Sequence, residues 1–442
     1  MKRIISDKLL EWKHNKNRKP LLLTGVRQCG KTYVLKKFAK THYEDFAYLN
    51  FEKNPDISSV FDIDFDPNRI IKDLSNFFLN KKIIPGKTLL ILDEIQISPK
   101  AITALKYFNE NLKDLDVVCA GSLLGVTLKR ELNSFPVGQV DLLKLYPMNF
   151  KEFLWAINGN DYEINFSNNL KEIPDYIHNK LIKDLFLFYL VGGMPEAVKI
   201  WKDTKNINEV YRVLDNIILG YRGDFSKYYQ QKDLVNLINV WDSVPVQLAE
   251  DNHKFIFNRV KKSARAKDLE SAVLWLHDAG LINLLKKVEN VKSPLSFYAD
   301  DSYYKLYLSD IGILSRISRI SYESIFIHGE ISGNFRGALT ENFILNELIS
   351  QNFSPHYWKS KNIAEVDFLI EYKDLIIPLE AKAMFNTKAK SLISYIKKYE
   401  PKISCRFSMR NLGINKIDNS QIISLPLYLV KDLKNILKSF KF

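Results

Sequence analysis

The chain has 442 residues, of which 46% are hydrophobic and 26% charged, with a net charge of +13. Its three cysteines exclude a disulfide framework, and no apolar run approaches the ~20 residues that span a bilayer. Two or three globular domains are expected, and the positive charge favours an anionic partner such as nucleic acid, unless it reflects lysines dispersed over the surface. Because Met1–Asp7 lacks the apolar core of a signal peptide, we expect a cytoplasmic protein without membrane contacts.

A glycine-rich motif follows the first apolar run. Leu21–Leu23 predicts a buried strand, and the next residues spell G-x-x-x-x-G-K-T ahead of a predicted helix. In that context backbone N–H groups and the helix N-terminus cradle phosphates, Lys31 neutralises the β- and γ-phosphates, and the Thr32 hydroxyl binds Mg²⁺. The motif therefore predicts an ATP and Mg²⁺ site formed by Gly25, Val26, Arg27, Gln28, Cys29, Gly30, Lys31, Thr32 and Tyr33.

Two acidic residues end a later apolar run. Thr88–Leu92 predicts a strand buried on both faces, and Asp93 and Glu94 follow it directly. The carboxyl ends of parallel strands are where such sheets bind ligands. We expect Asp93 to contact Mg²⁺, directly or through water, and Glu94 to act as the catalytic base that orients the attacking water.

Further strands are predicted around these two motifs. Three segments have the pattern of strands, and helical patterns lie between them: Phe46–Phe51, Asp116–Ser122 and Val140–Tyr146. This order predicts an α/β fold with a doubly wound parallel sheet. Ser122 then ends the strand beside the acidic one, close enough to sense the γ-phosphate or its water, which predicts a catalytic role for it.

The middle of the chain is helix-rich. Residues 150–230 predict a helical lid over the nucleotide site, in which the glycines of Val191–Pro195 indicate a tight turn or a close packing point. Residues 231–321 predict a winged-helix-like region of short helices and a hairpin. Basic residues precede its candidate recognition helix and are predicted to contact nucleic acid, although many winged helices bind protein instead: Arg259, Lys261, Lys262, Arg265 and Lys267.

The last part of the chain combines acids with a lysine. Glu341 lies in a predicted helix, Asp367 in a predicted strand, and Glu380 and Lys382 in the next strand, where a spacing of two places both on one face. Carboxylates with a lysine can bind a divalent metal and stabilise a phosphate transition state. The helix–strand–strand–helix order resembles the PD-(D/E)xK nuclease fold, which implies a restriction-endonuclease-like domain with these four residues as its site. The alternative is a set of ion pairs in a non-catalytic binding domain.

Nearly the whole chain also resembles the AAA+-type ATPases of bacteria and archaea that have a conserved C-terminal domain of uncertain function. The matching segments are GVRQCGKT, LLILDEIQ, AGSLLG, LYPMNFKEFL, VGGMPEAV, EVDF and PLEAK. One departure is Gln139, where that family usually has arginine; Arg130 or Arg222 could replace it, or be ordinary surface residues. A second departure is Glu380-Ala381-Lys382, where the family usually has Glu-Val-Lys. The ATP sites of the family are often completed between subunits, so the resemblance implies a homo-oligomer.

Motifs and resemblance together predict an ATPase that acts on or with nucleic acid, DNA rather than RNA, through a nuclease-like domain. The alternative is a nucleotide-gated protein-interaction switch whose C-terminal domain is an inactive binding module. A small-molecule phosphotransferase is disfavoured because no acceptor site is evident. The expected domains are an ATPase core, a helical lid, a winged-helix-like region and a PD-(D/E)xK nuclease-like domain, at residues 1–149, 150–230, 231–321 and 322–442.

Overall fold

The computed structural model describes residues 1–122, 124, 126, 136–162, 172–228, 231–250, 254–262, 264–326, 333–360, 364–385 and 389–440. The chain divides into two compact units. The N-terminal unit comprises Lys2–Tyr146 and Asp278–Gly280, and the C-terminal unit comprises Pro147–His277 and Leu281–Phe442 together with Met1. Among the described residues, no helix combines the length and the apolarity that crossing a bilayer demands.

The N-terminal unit contains one parallel sheet. Its strands are β1 (Leu21–Thr24), β2 (Asp45–Asn50), β3 (Thr88–Asp93), β4 (Val117–Ala120) and β5 (Asp141–Lys144). They lie in the order β2-β3-β4-β1-β5, and every residue of β3 and β4 is buried, as continuous apolar runs predict. The predicted parallel sheet is confirmed. Because β4 lies between β1 and β3, the segments that follow these three strands meet at one edge of the sheet.

Helices cover this sheet. Leu90 and Leu92 of β3 are fully buried in a hydrophobic cluster that also contains Phe61 and Phe108, and the Ser98 hydroxyl caps one helix by accepting a hydrogen bond from the Ala101 N–H. The helices are Ile5–His14, Lys31–His42, Val60–Ile63, Pro67–Asp73 and Pro99–Asn111, with 3₁₀ turns at Pro55–Ser59 and Ile95–Ile97 and a π-helical turn at Leu74–Leu79.

The C-terminal unit begins with helices. The first starts at a capping box, in which the Asn149 side chain and the Glu152 carboxylate each accept a hydrogen bond from the other residue's backbone N–H. The helices are Phe150–Asn158, Asp175–Val191, Pro195–Thr204, Ile207–Tyr228, Gln231–Leu248, Phe257–Val260, Ala266–Asp278, Ile311–Ile317, Tyr322–Phe326, Gly333–Ser350, Lys390–Tyr399 and Leu433–Ser439, with 3₁₀ turns at Leu295–Tyr298 and Leu427–Asp432.

The C-terminal unit also contains an eight-stranded mixed sheet. Its strands are β6 (Ile282–Val288), β7 (Ala299–Leu308), β8 (His356–Lys359), β9 (Glu365–Tyr372), β10 (Leu375–Ala381), β11 (Ile403–Ser408), β12 (Gly413–Ile417) and β13 (Ser420–Pro426). They lie in the order β12-β13-β11-β10-β9-β8-β6-β7. This confirms a second sheet in the C-terminal region, as expected for an α/β domain.

The hairpin β6–β7 differs from the expected wing. Three helices precede it, as in a winged helix, but β6 pairs in parallel with β8 through Lys287 and Val288. The sheet therefore crosses the boundary predicted between residues 321 and 322, and the hairpin forms its edge. The reason is burial: Val288 packs in one cluster with Trp358 and Val366, which belong to strands on the other side of that boundary.

The glycines of Val191–Pro195 lie at a close crossing of two backbones, as predicted. A Cβ on Gly192 would lie 2.7 Å from the Gly312 nitrogen, and one on Gly193 would lie 2.0 Å from the Met148 carbonyl oxygen. Asp310 secures the crossing, since its Oδ2 accepts a hydrogen bond of 2.6 Å from the Gly193 N–H. The segment thus joins helices within the C-terminal unit.

A buried carboxylate fixes the start of the helix Phe150–Asn158. Glu347 is 1% exposed, and its Oε1 accepts a hydrogen bond of 2.6 Å from the Phe150 N–H. Burial raises the pKa of Glu347 to about 8; the Phe150 N–H and Lys431 oppose the shift, and Glu152 and Asp432 add to it. The folded protein therefore keeps a proton here that the unfolded chain releases near its ordinary value of 4.5.

This proton makes stability depend on pH. A raised carboxyl pKa contributes stability that is complete below about pH 4.5 and lost as the pH rises toward 8. We expect Glu347→Gln, whose side-chain oxygen can still accept from Phe150, to melt roughly 5 °C higher than the wild type at pH 8 and close to it at pH 5. Melting curves across this range test it, with Glu289→Gln, 65% exposed, as the control. Parallel profiles for wild type and Glu347→Gln would contradict the assignment.

Candidate functional site

The loop between β1 and the helix Lys31–His42 has the backbone path of a phosphate-binding loop. Gly25 has φ +151°, and a Cβ there would lie 2.2 Å from the Leu145 carbonyl oxygen. Gly30 has φ +95° at the helix N-cap. Both conformations favour glycine, which is the physical reason for the two glycines of the motif. The loop leads directly into the N-terminus of a 12-residue helix, where backbone N–H groups favour an anion.

Lys31 lies against this loop. Its side chain is buried, and its ammonium donates hydrogen bonds to the carbonyl oxygens of Gly25, at 2.8 Å, and Val26, at 3.0 Å. The positive charge is therefore located at the loop, beside the backbone that would surround a phosphate.

Thr32 and Asp93 lie side by side. The Thr32 hydroxyl donates to Asp93 Oδ2 at 2.8 Å, and the Tyr48 hydroxyl donates to the same oxygen at 2.8 Å. Burial foremost raises the pKa of Tyr48 to about 12, so its hydroxyl remains a donor at neutral pH. A hydroxyl and a carboxylate are the hard oxygen ligands that Mg²⁺ prefers. The pair fits the predicted metal position.

Glu94 is oriented by residues that follow two neighbouring strands, β3 and β4. It has a left-handed backbone conformation, with φ +55°, directly after β3. Its Oε2 accepts hydrogen bonds from Gln96 Nε2 at 2.7 Å, from the Ser122 hydroxyl at 2.9 Å and from the Ser122 N–H at 3.3 Å. The predicted proximity of Ser122 to the acidic strand is therefore present. Gly121 leaves room for Gln96, because a Cβ at Gly121 would lie 2.3 Å from Gln96 Oε1.

Arg3, Tyr48 and Gln96 were not predicted from the sequence. Arg3 is buried and donates from Nη1 to the Cys29 carbonyl at 2.9 Å and from Nη2 to the Tyr146 carbonyl at 2.6 Å, which ties the phosphate loop to the segment after β5. No short motif contains it, since it lies far from the loop in sequence. Two features of the sequence could have pointed to the other residues. Tyr48 is a polar residue within an apolar strand, and Gln96 comes directly after the two acids and Ile95.

The other predicted loop residues differ in exposure. Val26 and Cys29 are buried, Arg27 is half-buried, and Tyr33 is 54% exposed. Gln28 has φ +65°, so the loop contains a left-handed residue besides its glycines. Their contacts with a nucleotide stay predictions.

The arginine candidates have different settings. Gln139, which replaces the family's arginine, accepts a hydrogen bond from the Asn109 side chain. Arg222 forms an ion pair of 2.7 Å with Asp242, and both side chains are about two-fifths exposed. Arg130 lies outside the described residues. The arginine that would complete the ATP site of a neighbouring subunit therefore stays unassigned.

In the C-terminal unit, the four predicted nuclease-site residues lie together in a group of charged side chains, which we call the acidic cluster. The β9–β10 register pairs Phe368 with Leu379, so Asp367 and Glu380 are the next residues on the two strands, and Asp367 Oδ2 accepts a hydrogen bond of 2.7 Å from the Ala381 N–H. Lys382 forms an ion pair of 2.6 Å with Glu380 Oε1, whereas Glu380 Oε2 is buried without a hydrogen-bond partner. Glu341 faces them from the helix Gly333–Ser350 and is buried.

Two residues of β7 that the sequence reasoning missed complete this cluster. Lys305 is 1% exposed, and its ammonium lies 2.6 Å from Glu365 Oε1 and 3.5 Å from Glu341 Oε2. The Tyr307 hydroxyl donates to Glu341 Oε2 at 2.6 Å. The predicted boundary after residue 321 assigned β7 to another domain, and it is the shared sheet that brings these side chains to the acids.

Charge repulsion and burial act together on the carboxyl groups of this acidic cluster. Burial, then Glu380 and Glu341, raise the pKa of Asp367 well above its usual value, against the effect of Lys305. Burial also raises the pKa of Glu380, against Lys382. Burial alone would lower the pKa of Lys305, but Glu341 and Glu365 raise it well above normal. The raised pKa values mean that Asp367 and Glu380, in spite of the two lysines, favour a proton or an additional cation.

The acidic cluster does not form a ready-made metal site of three ligands. Within the part of the chain that the structure describes, no group of three or more His, Cys, Asp or Glu side chains is arranged to hold a metal ion. Asp367 and Glu380 are the neighbouring carboxylates that the cluster offers, and Glu380 Oε2 is the oxygen without a hydrogen-bond partner.

The predicted basic cluster lies on the surface. Arg259 forms an ion pair of 3.5 Å with Glu250 and its side chain is 61% exposed. The others are also exposed and stand before or at the start of the helix Ala266–Asp278: Lys261, Lys262, Arg265 and Lys267. Their positive charge is accessible to a partner.

Three segments match known families. Residues 17–154 match the family described as AAA domain, so this part of the chain is similar to AAA domains. Residues 182–324 match a domain of unknown function (DUF8612), and residues 336–428 match another (DUF4143). The strand pair β6–β8 joins the last two segments in one sheet.

Several known proteins and solved structures are similar to parts of this chain. The uncharacterized protein MJ1544 of Methanocaldococcus jannaschii is 28% identical over 371 residues, which are 80% of this chain and 73% of that protein. The uncharacterized protein MJ1637 of the same organism is 23% identical over 227 residues, 49% of this chain and 46% of that protein. The Walker-type ATPase PABY2304 of Pyrococcus abyssi is 14% identical with a TM-score of 0.44, covering 71% of this chain and 94% of that one.

Proposed function

We propose that the protein hydrolyses ATP in its N-terminal unit and acts on nucleic acid through its C-terminal unit. The observation that carries the ATPase proposal is the contact between Thr32 and Asp93, at 2.8 Å, beside a Glu94 that Ser122 and Gln96 orient. A protein that only bound nucleotide would need the loop and Lys31. It would not need an oriented carboxylate at the end of β3.

Each residue has a distinct task in this mechanism. Mg²⁺ at Thr32 and Asp93 would supply positive charge to the β- and γ-phosphates. Lys31 adds a fixed charge to the same phosphates, and Tyr48 and Thr32 keep Asp93 oriented. Glu94 orients the attacking water and accepts its proton. Ser122 donates to Glu94 and, at the end of β4, also senses the γ-phosphate or its water. A neighbouring subunit in a homo-oligomer completes the site.

The nucleic-acid proposal is supported by charge and by the acidic cluster. The exposed basic cluster from Arg259 to Lys267 is suited to phosphate contacts, with DNA favoured over RNA. In the acidic cluster, Asp367 and Glu380 fit a divalent metal, since Glu380 Oε2 is a buried acceptor without a partner. Lys382 is placed to stabilise a phosphate transition state, and Glu341 supports the carboxylates from the helix.

Cleavage of labelled DNA and RNA, single- and double-stranded, tests the nuclease proposal. With Mg²⁺ or Mn²⁺, and with and without ATP, we expect the wild type to cut and the double variant Asp367→Ala/Glu380→Ala to lose at least about 10²-fold in rate, because both metal ligands are removed. Asp374→Ala, an exposed acid between β9 and β10, is the matched control.

One observation favours the alternative, a nucleotide-gated protein-interaction switch. Lys305 and Lys382 already neutralise much of the acidic cluster, as in a structural ion-pair network. If the wild type binds nucleic acid or protein without cutting, under every metal and nucleotide condition, the cluster is a binding module and the ATPase is the enzyme.

A further inference from the structure

Two parallel strands of the C-terminal sheet bring cationic side chains together near the carboxyl ends of the strands. Strands β10 and β11 are parallel neighbours, and their register places Arg406 directly beside Glu380. Paired residues on adjacent strands share a face, so Arg406 extends the row that Asp367 and Glu380 begin. Arg406 Nη2 donates to the Ser424 hydroxyl at 2.7 Å on the next strand, which fixes the guanidinium in this row.

The segments that follow these two strands also meet. Because the strands run the same way, the residues after β10 and after β11 lie at the same edge. Arg410 Nε donates to the Phe385 carbonyl at 2.7 Å, and the Lys382 N–H donates to the Phe407 carbonyl at 2.8 Å. Lys382 and Arg410 therefore lie beside this row, where β10 and β11 end.

This edge combines charge repulsion with an exposed aromatic ring. Burial foremost, and then repulsion from the positive charge of Arg410, lower the pKa of Arg406, while Glu380 opposes the shift. An anion between the two arginines would relieve that repulsion. Phe385, whose carbonyl accepts the hydrogen bond from Arg410, is 60% exposed, and Arg336 donates from Nη1 to the sulfur of the preceding Met384 at 2.6 Å. A ring next to arginines offers a base a stacking surface next to its phosphate.

From this arrangement we propose that Lys382, Phe385, Arg406 and Arg410 form a binding site for a single-stranded nucleic acid. The cations contact the phosphodiester backbone, and Phe385 stacks on a base. Charge complementarity and the ring together select this occupant over an acidic peptide, which gains nothing from stacking. The inference rests on the proposed action on nucleic acid. It names the face through which a single-stranded nucleic acid reaches Asp367 and Glu380.

Binding of short fluorescent oligothymidylate and oligouridylate to the full chain tests the proposal, with EDTA present so that binding is separated from cleavage. We expect Phe385→Ala to weaken binding about tenfold, and Arg410→Gln to weaken it and to reduce the salt dependence by about one released counterion. Arg212→Gln, an exposed arginine on the helix Ile207–Tyr228, is the matched control and should bind as the wild type does. Melting curves verify that each variant is folded.

A second measurement locates the bound oligonucleotide and distinguishes binding at this site from binding at the basic cluster at Arg259–Lys267. With an oligonucleotide containing 5-iodouracil, photocrosslinking followed by mass spectrometry should mark Phe385. Crosslinks confined to other segments, wild-type affinity in both variants, or no binding by the wild type would each overturn the proposal. Displacement of the oligonucleotide by polyglutamate at equal charge concentration would also overturn it. Crosslinking at Phe385 without cleavage under metal would leave this site standing and reject the nuclease.

Discussion

Glu94→Gln is expected to bind ATP with the affinity of the wild type and to hydrolyse it about 10²- to 10⁴-fold more slowly. Glutamine keeps the shape of the side chain, and its amide oxygen can still accept from Ser122 and Gln96, whose donors now lie 2.9 and 2.7 Å from Glu94 Oε2. What it loses is the ability to accept a proton from water. The effect should therefore fall on the turnover rate and leave nucleotide affinity unchanged.

Phosphate release under saturating ATP and nucleotide binding at equilibrium separate the two quantities. Glu52→Gln, an exposed acid in the same unit, is the matched control and should behave as the wild type. Wild-type turnover in Glu94→Gln would place the catalytic base elsewhere. A loss of ATP affinity equal to the loss of turnover would show that Glu94 supports the loop and not the chemistry.

Lys305→Met should destabilise the C-terminal unit by about 3–5 kcal/mol, because it leaves buried carboxylates without their cation. The Lys305 ammonium lies 2.6 Å from Glu365 and 3.5 Å from Glu341 and is 1% exposed, so no water replaces it. Methionine fills a similar volume, which separates the loss of charge from the loss of packing.

Lys359→Met is the matched control for this change. Lys359 forms an ion pair of 2.9 Å with the same Glu365, but its side chain is 36% exposed, so we expect a loss of about 0–1 kcal/mol. Denaturant unfolding, followed by a signal from the C-terminal unit, compares the two. Equal midpoints for the two variants would mean that Lys305 does not neutralise the acidic cluster.

The proposed nucleotide site could be recognised from the sequence because its residues belong to contiguous motifs. Gly25, Gly30, Lys31 and Thr32 lie within eight positions, and Asp93 and Glu94 end one apolar run. Parallel strands then bring the ends of those runs together without further information. Ser122 could be added because its strand also ends in a small polar residue.

Arg3 and Lys305 show what local patterns leave out. Each acts through a contact with residues far away in the chain, and neither stands in a motif with a fixed spacing. Lys305 was missed for a second reason, since the hairpin of residues 282–308 has the local pattern of a wing in either setting. Only the pairing of β6 with β8 assigns it to the C-terminal sheet, and that pairing depends on tertiary burial.

The central claim is that the loop at Gly25–Thr32 and the acids after β3 hydrolyse ATP. Release of inorganic phosphate from ATP, with and without Mg²⁺, by the wild type and by Lys31→Ala tests it most directly, with nucleotide binding measured on the same samples. We predict Mg²⁺-dependent release by the wild type, and neither binding nor release by Lys31→Ala, because that change removes the positive charge at the phosphates. Wild-type ATP affinity in Lys31→Ala, or a wild type that binds ATP and releases no phosphate under any condition, would contradict the claim.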